Sequence, residues 1–225
     1  MTISQLLEQF GDKYVLALLT TWKLTACAFV IAFAVGVLIT VMRICPIRPL
    51  QLAGDFYVQL FRNIPGAALL ILLVYALPYL RLVWSYYACV LIATSLIPAA
   101  FCSEYLMAGM NTIAAGQIEA ARSLGMRESS VFFKIVFPQA LRYVVPAMIS
   151  ELVIVLKDTT FAYVVNYADL MQNARVLISN YDALLSVYLV TAVIYILINY
   201  ALNRISVAVA RRQDAGARRA AGRSR

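Results

Sequence analysis

Only 13% of this 225-residue chain is charged, so the ionisable side chains inside apolar stretches are the first to consider for chemistry. Four stand out: Glu104, Glu151, Lys157 and Asp158. A charge held within a membrane is costly, and such groups line a cavity or pair with one another. If the stretch 139–157 is a helix, Glu151 and Asp158, seven residues apart, lie on roughly the same face. That face could hold an ammonium group. The structural alternative is that Glu151 meets a hydroxyl or an arginine of a partner subunit, while Lys157 and Asp158 are solvated.

Catalysis finds no support. The chain has no histidine, which removes the usual zinc site, the usual proton relay and the Ser-His-Asp triad together. Cys27, Cys45, Cys89 and Cys102 have no short spacing and read as small apolar packing residues. None of the nine glycines opens a phosphate-cradling GxxxxGK sequence. No catalytic residue, metal site or cofactor is expected, and uphill movement would draw its energy from an ion gradient or a partner protein.

The elements that position these groups are membrane helices. The chain is 63% hydrophobic, well above the composition of soluble domains, and crossing a hydrocarbon core takes about 20 apolar residues. Leu24 to Met42, Ile64 to Leu80, Leu82 to Ser103 and Ala183 to Asn203 carry no charge, and Tyr143 to Leu156 is interrupted only by Glu151. The expectation is an all-α protein of five spans, near 14–42, 61–80, 82–107, 139–157 and 183–209. Residues 1–13 form an amphipathic lead-in at the outer surface through Ile3, Leu6, Leu7 and Phe10, followed by a transmembrane body over 14–210. Residues 211–225 form a basic tail.

With the N-terminus outside, fourteen lysines and arginines face the cytoplasm and five do not. The positive-inside rule therefore selects N-out, C-in. The net charge of +8 is mostly this signal plus the tail. The tail's Arg211, Arg212, Arg218, Arg219, Arg223 and Arg225 suit anionic lipid or solvated disorder rather than nucleic acid.

Between the third and fourth spans lies the most patterned segment, 109–138. Gly116 and Gly125 bracket Gln117-Ile-Glu-Ala-Ala-Arg-Ser-Leu124, two helical turns stopped by the usual left-handed terminator. A second short helix, Glu128 to Phe137, places Val131 and Ile135, and Phe132 and Val136, at i,i+4 spacing, and Pro138 opens the next element. The expectation is a helix-turn-helix across the cytoplasmic face. Ala120 and Ala121 leave one surface nearly bare for another protein's groove, framed by Glu119 and Arg122.

Glu119-Ala-Ala-Arg-Ser-Leu-Gly125 followed by Ile135-Val-Phe-Pro-Gln139 resembles the EAA loop of permease subunits of bacterial ABC importers. Gln117, Pro138-Gln-Ala-Leu-Arg142, Pro146, Leu156-Lys-Asp-Thr-Thr160 and Phe61-Arg-Asn-Ile-Pro65 resemble the polar amino acid branch. The likeness runs from about Thr20 to Arg212. It implies a type I ABC importer permease fold in the bacterial inner membrane, and a second permease subunit, identical or paralogous. It also implies two ATP-binding subunits, each gripping one EAA loop, and an extracytoplasmic amino acid-binding protein. Glu119, Ala120, Ala121, Arg122, Gly125 and Pro138 are then the coupling residues, and Glu151, Asp158, Lys157 and Glu104 the substrate path.

Two stretches depart from the family pattern. Gly66-Ala-Ala-Leu69 lacks a glutamine often found there, and Glu104-Tyr-Leu-Met107 replaces a Glu-x-x-Arg. Ser150-Glu151 resembles histidine/arginine/lysine permeases, whereas Lys157-Asp-Thr-Thr-Phe161 and Tyr163 to Asp169 resemble glutamate/aspartate members, toward which the reading leans. A gradient-driven secondary transporter is the competing class, and the absence of an internal repeat and of histidine argues against it.

Overall fold

The computed structural model describes residues 2–181 and 183–223, with side chains as far as Gln213. Among these residues every regular element is helical. Four helical stretches are long and apolar enough to cross a membrane: Ile3–Ile44, Tyr86–Met110, Glu128–Val165 and Leu184–Gln213. There are up to five spans if the bent pair Arg48–Arg62 and Gly66–Leu80 counts as one.

Helix α1, Ile3–Ile44, starts in a capping box. The Thr2 hydroxyl accepts from the Gln5 amide and the Gln5 side chain accepts from the Thr2 amide, so orphan donors at the first turn are satisfied reciprocally. It stops at Cys45, extended as a residue before proline prefers. Residues 1–13 are therefore not a separate lead-in. Leu6 and Phe10 are buried with Tyr14 and Ala17 against Leu170, Ala174 and Leu177 of helix α8, Leu170–Asn180, and Val187 of helix α9, Leu184–Arg223. Only Ile3 and Leu7 of the expected apolar face stay exposed. The short helix α8, whose polar sequence hid it, supplies the missing partner. Its N-cap Asp169 accepts from the Gln172 amide, the ordinary role of aspartate at that position.

The second span is broken. Helix α2, Arg48–Arg62, carries Pro49 in its first turn, where the lost N–H costs nothing. It turns by 101° through Asn63, Ile64 and Pro65 into α3, Gly66–Ile71. That stretch continues through a π turn, Leu72–Ala76, and a 3-10 turn, Leu77–Leu80, ending at Arg81 in left-handed conformation. The expected helix 61–80 is thus the second limb, helical from Gly66 to Leu80, while α2 before the corner was not expected as a helix.

Helix α4, Tyr86–Met110, lies between α1 and α7, Phe137–Asp158. Its start is capped by Ser85, which accepts from the Ala88 amide. The approach of α4 to α7 depends on Gly109, where a Cβ would stand 2.6 Å from Val144 Cγ1 and 2.9 Å from the Ala140 carbonyl oxygen. A 3-10 stretch, Thr159–Val165, extends α7.

The segment leading into α7 differs from the expected pair of separate helices. Helix α6, Glu128–Val131, passes into a π turn, Phe132–Val136, and on into α7 without a break. Pro138 does not open a new element. Its ring excludes the carbonyl four residues back and its nitrogen cannot donate, and the chain absorbs this by widening the preceding turn, so that the Phe137 amide bonds Phe132 O. Pro78 follows the π turn 72–76 in the same way, with the Leu77 amide on Leu72 O. At the far end, α9 runs to Arg223 as one helix. Arg211 and Arg212 are exposed, whereas the expected contacts of Arg218, Arg219, Arg223 and Arg225 lie outside the described residues.

Candidate functional site

Helix α5, Ala115–Ser123, carries the patterned segment. Its end is a Schellman turn: Gly125 at φ +75° donates to Arg122 O and Met126 donates to Ala121 O. The hydrophobic contact that accompanies such turns is present. Ala121 is buried with Val131 and Val136, and Met126 packs on the cluster. The expectation of two bare alanines is therefore corrected, because Ala121 faces inward and closes the turn. Ala120 and Glu119 are exposed, and the Glu119 carbonyl accepts the Ser123 hydroxyl. The apolar feature that projects is Leu124, 83% exposed at the tip. A leucine beside the terminating glycine was legible in the sequence, but its direction was not.

Two polar contacts fix the turn to the long helix behind it. Arg122 forks onto Glu128, with Nε on Oε1 at 2.7 Å and Nη2 on Oε2 at 3.0 Å, a bidentate geometry that sets direction as well as energy. The carboxylate holds the Arg122 guanidinium still more firmly protonated. Gln139, next to Pro138, donates to the Gln117 side chain at 2.8 Å and to Ile135 O. The tip at Leu124 is thus braced against both ends of the segment that runs into α7.

Along α7 the face that meets α4 presents Ala140, Val144, Met148 and Glu151 to Gly109, Leu106, Tyr105 and Cys102. Glu151 is 1% exposed. Its Oε2 accepts from the Tyr105 hydroxyl at 3.1 Å and its Oε1 has no partner. A buried carboxylate oxygen without a donor is expensive. Asp158 is half-buried seven residues on, while Lys157 is exposed. Tyr105 was missed by the sequence reading; a tyrosine inside an apolar helix, with one polar atom to satisfy, was the available signal.

Glu104 is not part of that arrangement. It accepts from Arg43 Nη1 at 2.7 Å and pairs with Arg62 at 3.3 Å, and Arg43 Nε reaches Asp55 at 2.8 Å. Arg43 also donates to Ser103, and Arg62 lies over the Phe101 ring. The cluster ties the ends of α1 and α2 to α4, close to the corner at Asn63. Where the family pattern has an arginine three residues after the glutamate, Met107 stands here, and Arg43 and Arg62 supply the charge from other helices. The four ionisable residues singled out in the sequence thus divide: Glu151 and Asp158 share a helix, Glu104 belongs to an ion-pair cluster, and Lys157 faces outward. Among the described residues no group of three or more acidic or cysteine side chains could hold a metal.

Comparison with known proteins points the same way. Residues 34–215 match the family described as binding-protein-dependent transport system inner membrane component. A probable glutamine ABC transporter permease protein, GlnM of Bacillus subtilis, is 30% identical over 203 residues, covering 90% of this chain and 94% of that protein. The nopaline transport system permease protein NocM of Agrobacterium fabrum is 30% identical over 215 residues, covering 91% and 89%. Among solved structures, an amino acid ABC transporter crystallised with histidines aligns with a TM-score of 0.84 at 26% identity over 92% of this chain and 96% of that one. The inward-facing MetNI methionine transporter shares the fold, with a TM-score of 0.67 at 23% identity over 90% of this chain and 98% of that one. A multi-pass helical body without catalytic groups, matched by permease subunits along nearly its whole length, leaves one conclusion: the chain belongs to the family of inner membrane components of binding-protein-dependent transport systems, as the permease subunit of an ABC importer.

Proposed function

We propose that this subunit forms half of the translocation path of a polar amino acid importer and is driven through the turn at Leu124 and Gly125. The observation that carries the reading is mechanical. The braced, exposed tip of α5 is joined by one continuous helical stretch, Glu128–Val165, to the buried and half-satisfied Glu151. A displacement of the tip is delivered to the carboxylate along a single rod. Glu119, Ala120, Arg122, Gly125 and Pro138 act as docking surface, brace and turn, with Ala121 packed beneath them.

On this reading the arginine-rich ends of the helices are cytoplasmic and the N-terminus is outside. A second permease, identical or paralogous, completes the path. Two ATP-binding subunits grip the two α5 tips, and an extracytoplasmic binding protein delivers the amino acid. Nucleotide-driven closure of the ATPases biases a two-state equilibrium of the bundle.

Glu151 Oε1 is suited to accept from the α-ammonium group that every amino acid carries. Within that class, the stretches 157–161 and 163–169 favour glutamate or aspartate. The negative charges at Glu151 and Asp158 favour a substrate whose side chain bears no negative charge, and the glutamine and nopaline relatives are permeases named for other cargo. Direct binding of an amino acid panel to the partner binding protein decides between them.

The coupling role is tested with Leu124→Asp in the reconstituted transporter. Leu124 is 83% exposed, so insertion and assembly are retained, while stimulation of ATP hydrolysis by loaded binding protein falls at least tenfold. Unchanged stimulation in a fully assembled complex refutes the docking role.

A further inference from the structure

The rod from the α5 tip to Glu151 contains a weak point at Pro146. Proline there removes the amide that would bond the carbonyl of Arg142, four residues back. In the structure that freed carbonyl is taken up: Gln213 of α9 donates its side-chain amide to Arg142 O at 2.5 Å. One turn further on, Ser206 of α9 donates to Pro146 O at 2.9 Å, and the Ser150 hydroxyl stands 3.3 Å from Ser206 and 3.1 Å from the same carbonyl. Ser206 is buried. The other in-helix prolines, Pro78, Pro98 and Pro138, free the carbonyls of Val74, Thr94 and Lys134. Among the described residues none of these three has a side-chain donor from another helix.

We infer that Gln213 and Ser206 of α9 are positioning residues that clamp α7 at Pro146, so that displacement of the α5 end is transmitted to Glu151 instead of being absorbed by bending there. An unclamped proline hinge between the two halves of α7 would flex under load. Helix α9 lies alongside α7 and grips it one turn before the proline, at Arg142 O, and at Pro146 O itself. This assigns a role to the far end of α9, whose sequence there is merely polar and basic. The inference rests on the coupling role proposed for the α5 tip and adds a second, separable element to it.

Proline chemistry provides the test. Gln213→Leu removes the donor, whereas Pro146→Ala restores an amide for Arg142 O and makes Gln213 redundant. In the reconstituted transporter, Gln213→Leu is expected to lower the amount of amino acid transported per ATP by about two- to fivefold, the range a single net hydrogen bond of modest strength spans. Gln213→Lys, which keeps a donor, retains most of the ratio. In a Pro146→Ala background, Gln213→Leu has no further effect. Spin labels at the exposed positions 134 and 157, on either side of Pro146, report a broader distance distribution in Gln213→Leu and a narrow one again in the double variant. Gln213→Glu, of equal length but without a donor, replaces Gln213→Leu if the latter fails to assemble. A loss of equal size in both backgrounds, or an unchanged ratio and distance distribution in Gln213→Leu, overturns the inference. If Leu124→Asp uncouples the complex and Gln213→Leu does not, the clamp alone fails; if Leu124→Asp has no effect, the underlying reading fails.

Discussion

Replacing Gly109 with alanine probes the packing that sets up the buried carboxylate. A methyl at Gly109 would lie 2.6 Å from Val144 Cγ1 and 2.9 Å from the Ala140 carbonyl oxygen, where ordinary contact begins at 3.4 Å. The α4–α7 crossing must therefore open by about 0.5 to 0.8 Å, since backbone oxygen cannot rotate away. Tyr105 lies one turn before Gly109, and Glu151 two turns after Val144, on the same two faces. Their hydrogen bond, at 3.1 Å, is stretched beyond useful length by that opening. Overpacking costs about 1–3 kcal/mol and loss of the Tyr105 bond about 1 kcal/mol more, a total near 2–4 kcal/mol. The assay is thermal unfolding of the purified chain in lipid nanodiscs, with Val144→Ala as companion. The double variant removes the clash with Cγ1 but not the one with the Ala140 oxygen, so it recovers only part of the loss. Wild-type stability for Gly109→Ala, or full rescue by Val144→Ala, would falsify the backbone-contact argument.

Two further outcomes follow from the charged clusters. Glu104→Gln leaves Arg43 with Asp55 alone and Arg62 without a carboxylate; because the site is partly exposed, the cost is about 1–2 kcal/mol. It is read as a lower unfolding temperature and as faster proteolysis at the corner between α2 and α3; a neutral effect on both would remove the cluster's role in holding that corner. Burial pushes the Asp169 carboxyl from its ordinary 3.8 up to about 6, so the folded state binds the proton more tightly than the unfolded chain. Ionisation at neutral pH then costs stability, at most about 3 kcal/mol, and the cost disappears as pH falls through 6 toward 4. Unfolding temperature is expected to rise as pH is lowered from 7.5 to 5.5, and Asp169→Asn, an equally good helix cap, flattens that dependence. A wild-type profile that is flat over the same range contradicts the assignment.

Much of the architecture was legible in the sequence because lipid imposes a severe rule: long uncharged runs must be helical spans. The stretches around 24–42, 82–103 and 183–203 obeyed it. The run 64–80 is helical too, from Gly66, but Asn63, Ile64 and Pro65 allow either a helix start or a corner, and only the packing of Gly54 and Val58 against neighbouring helices fixes the preceding α2 where it lies. Helix α8 escaped notice for the opposite reason: it is too polar for a span, and its buried Leu170, Ala174 and Leu177 acquire meaning only beside α1 and α9. At the site, the terminating role of Gly125 was local chemistry and could be read directly. That Ala121 turns inward while Leu124 projects depends on the cluster formed with Val131 and Val136, which no local pattern specifies.

The sequence by itself determined that this is a helical membrane protein without catalytic groups and that Gly125 stops a short helix, although that helix begins at Ala115 and takes in the Gly116 expected to bracket it. Those properties follow from composition, backbone preference and the cost of charge in hydrocarbon, which act residue by residue. Tertiary structure alone decided which charges meet. Glu104 found Arg43 and Arg62, Glu151 found Tyr105 and kept one oxygen free, and the carbonyl released by Pro146 found Gln213, 71 residues away. Such pairings depend on the crossing of helices distant in the chain, where an ångström of separation makes or removes a hydrogen bond.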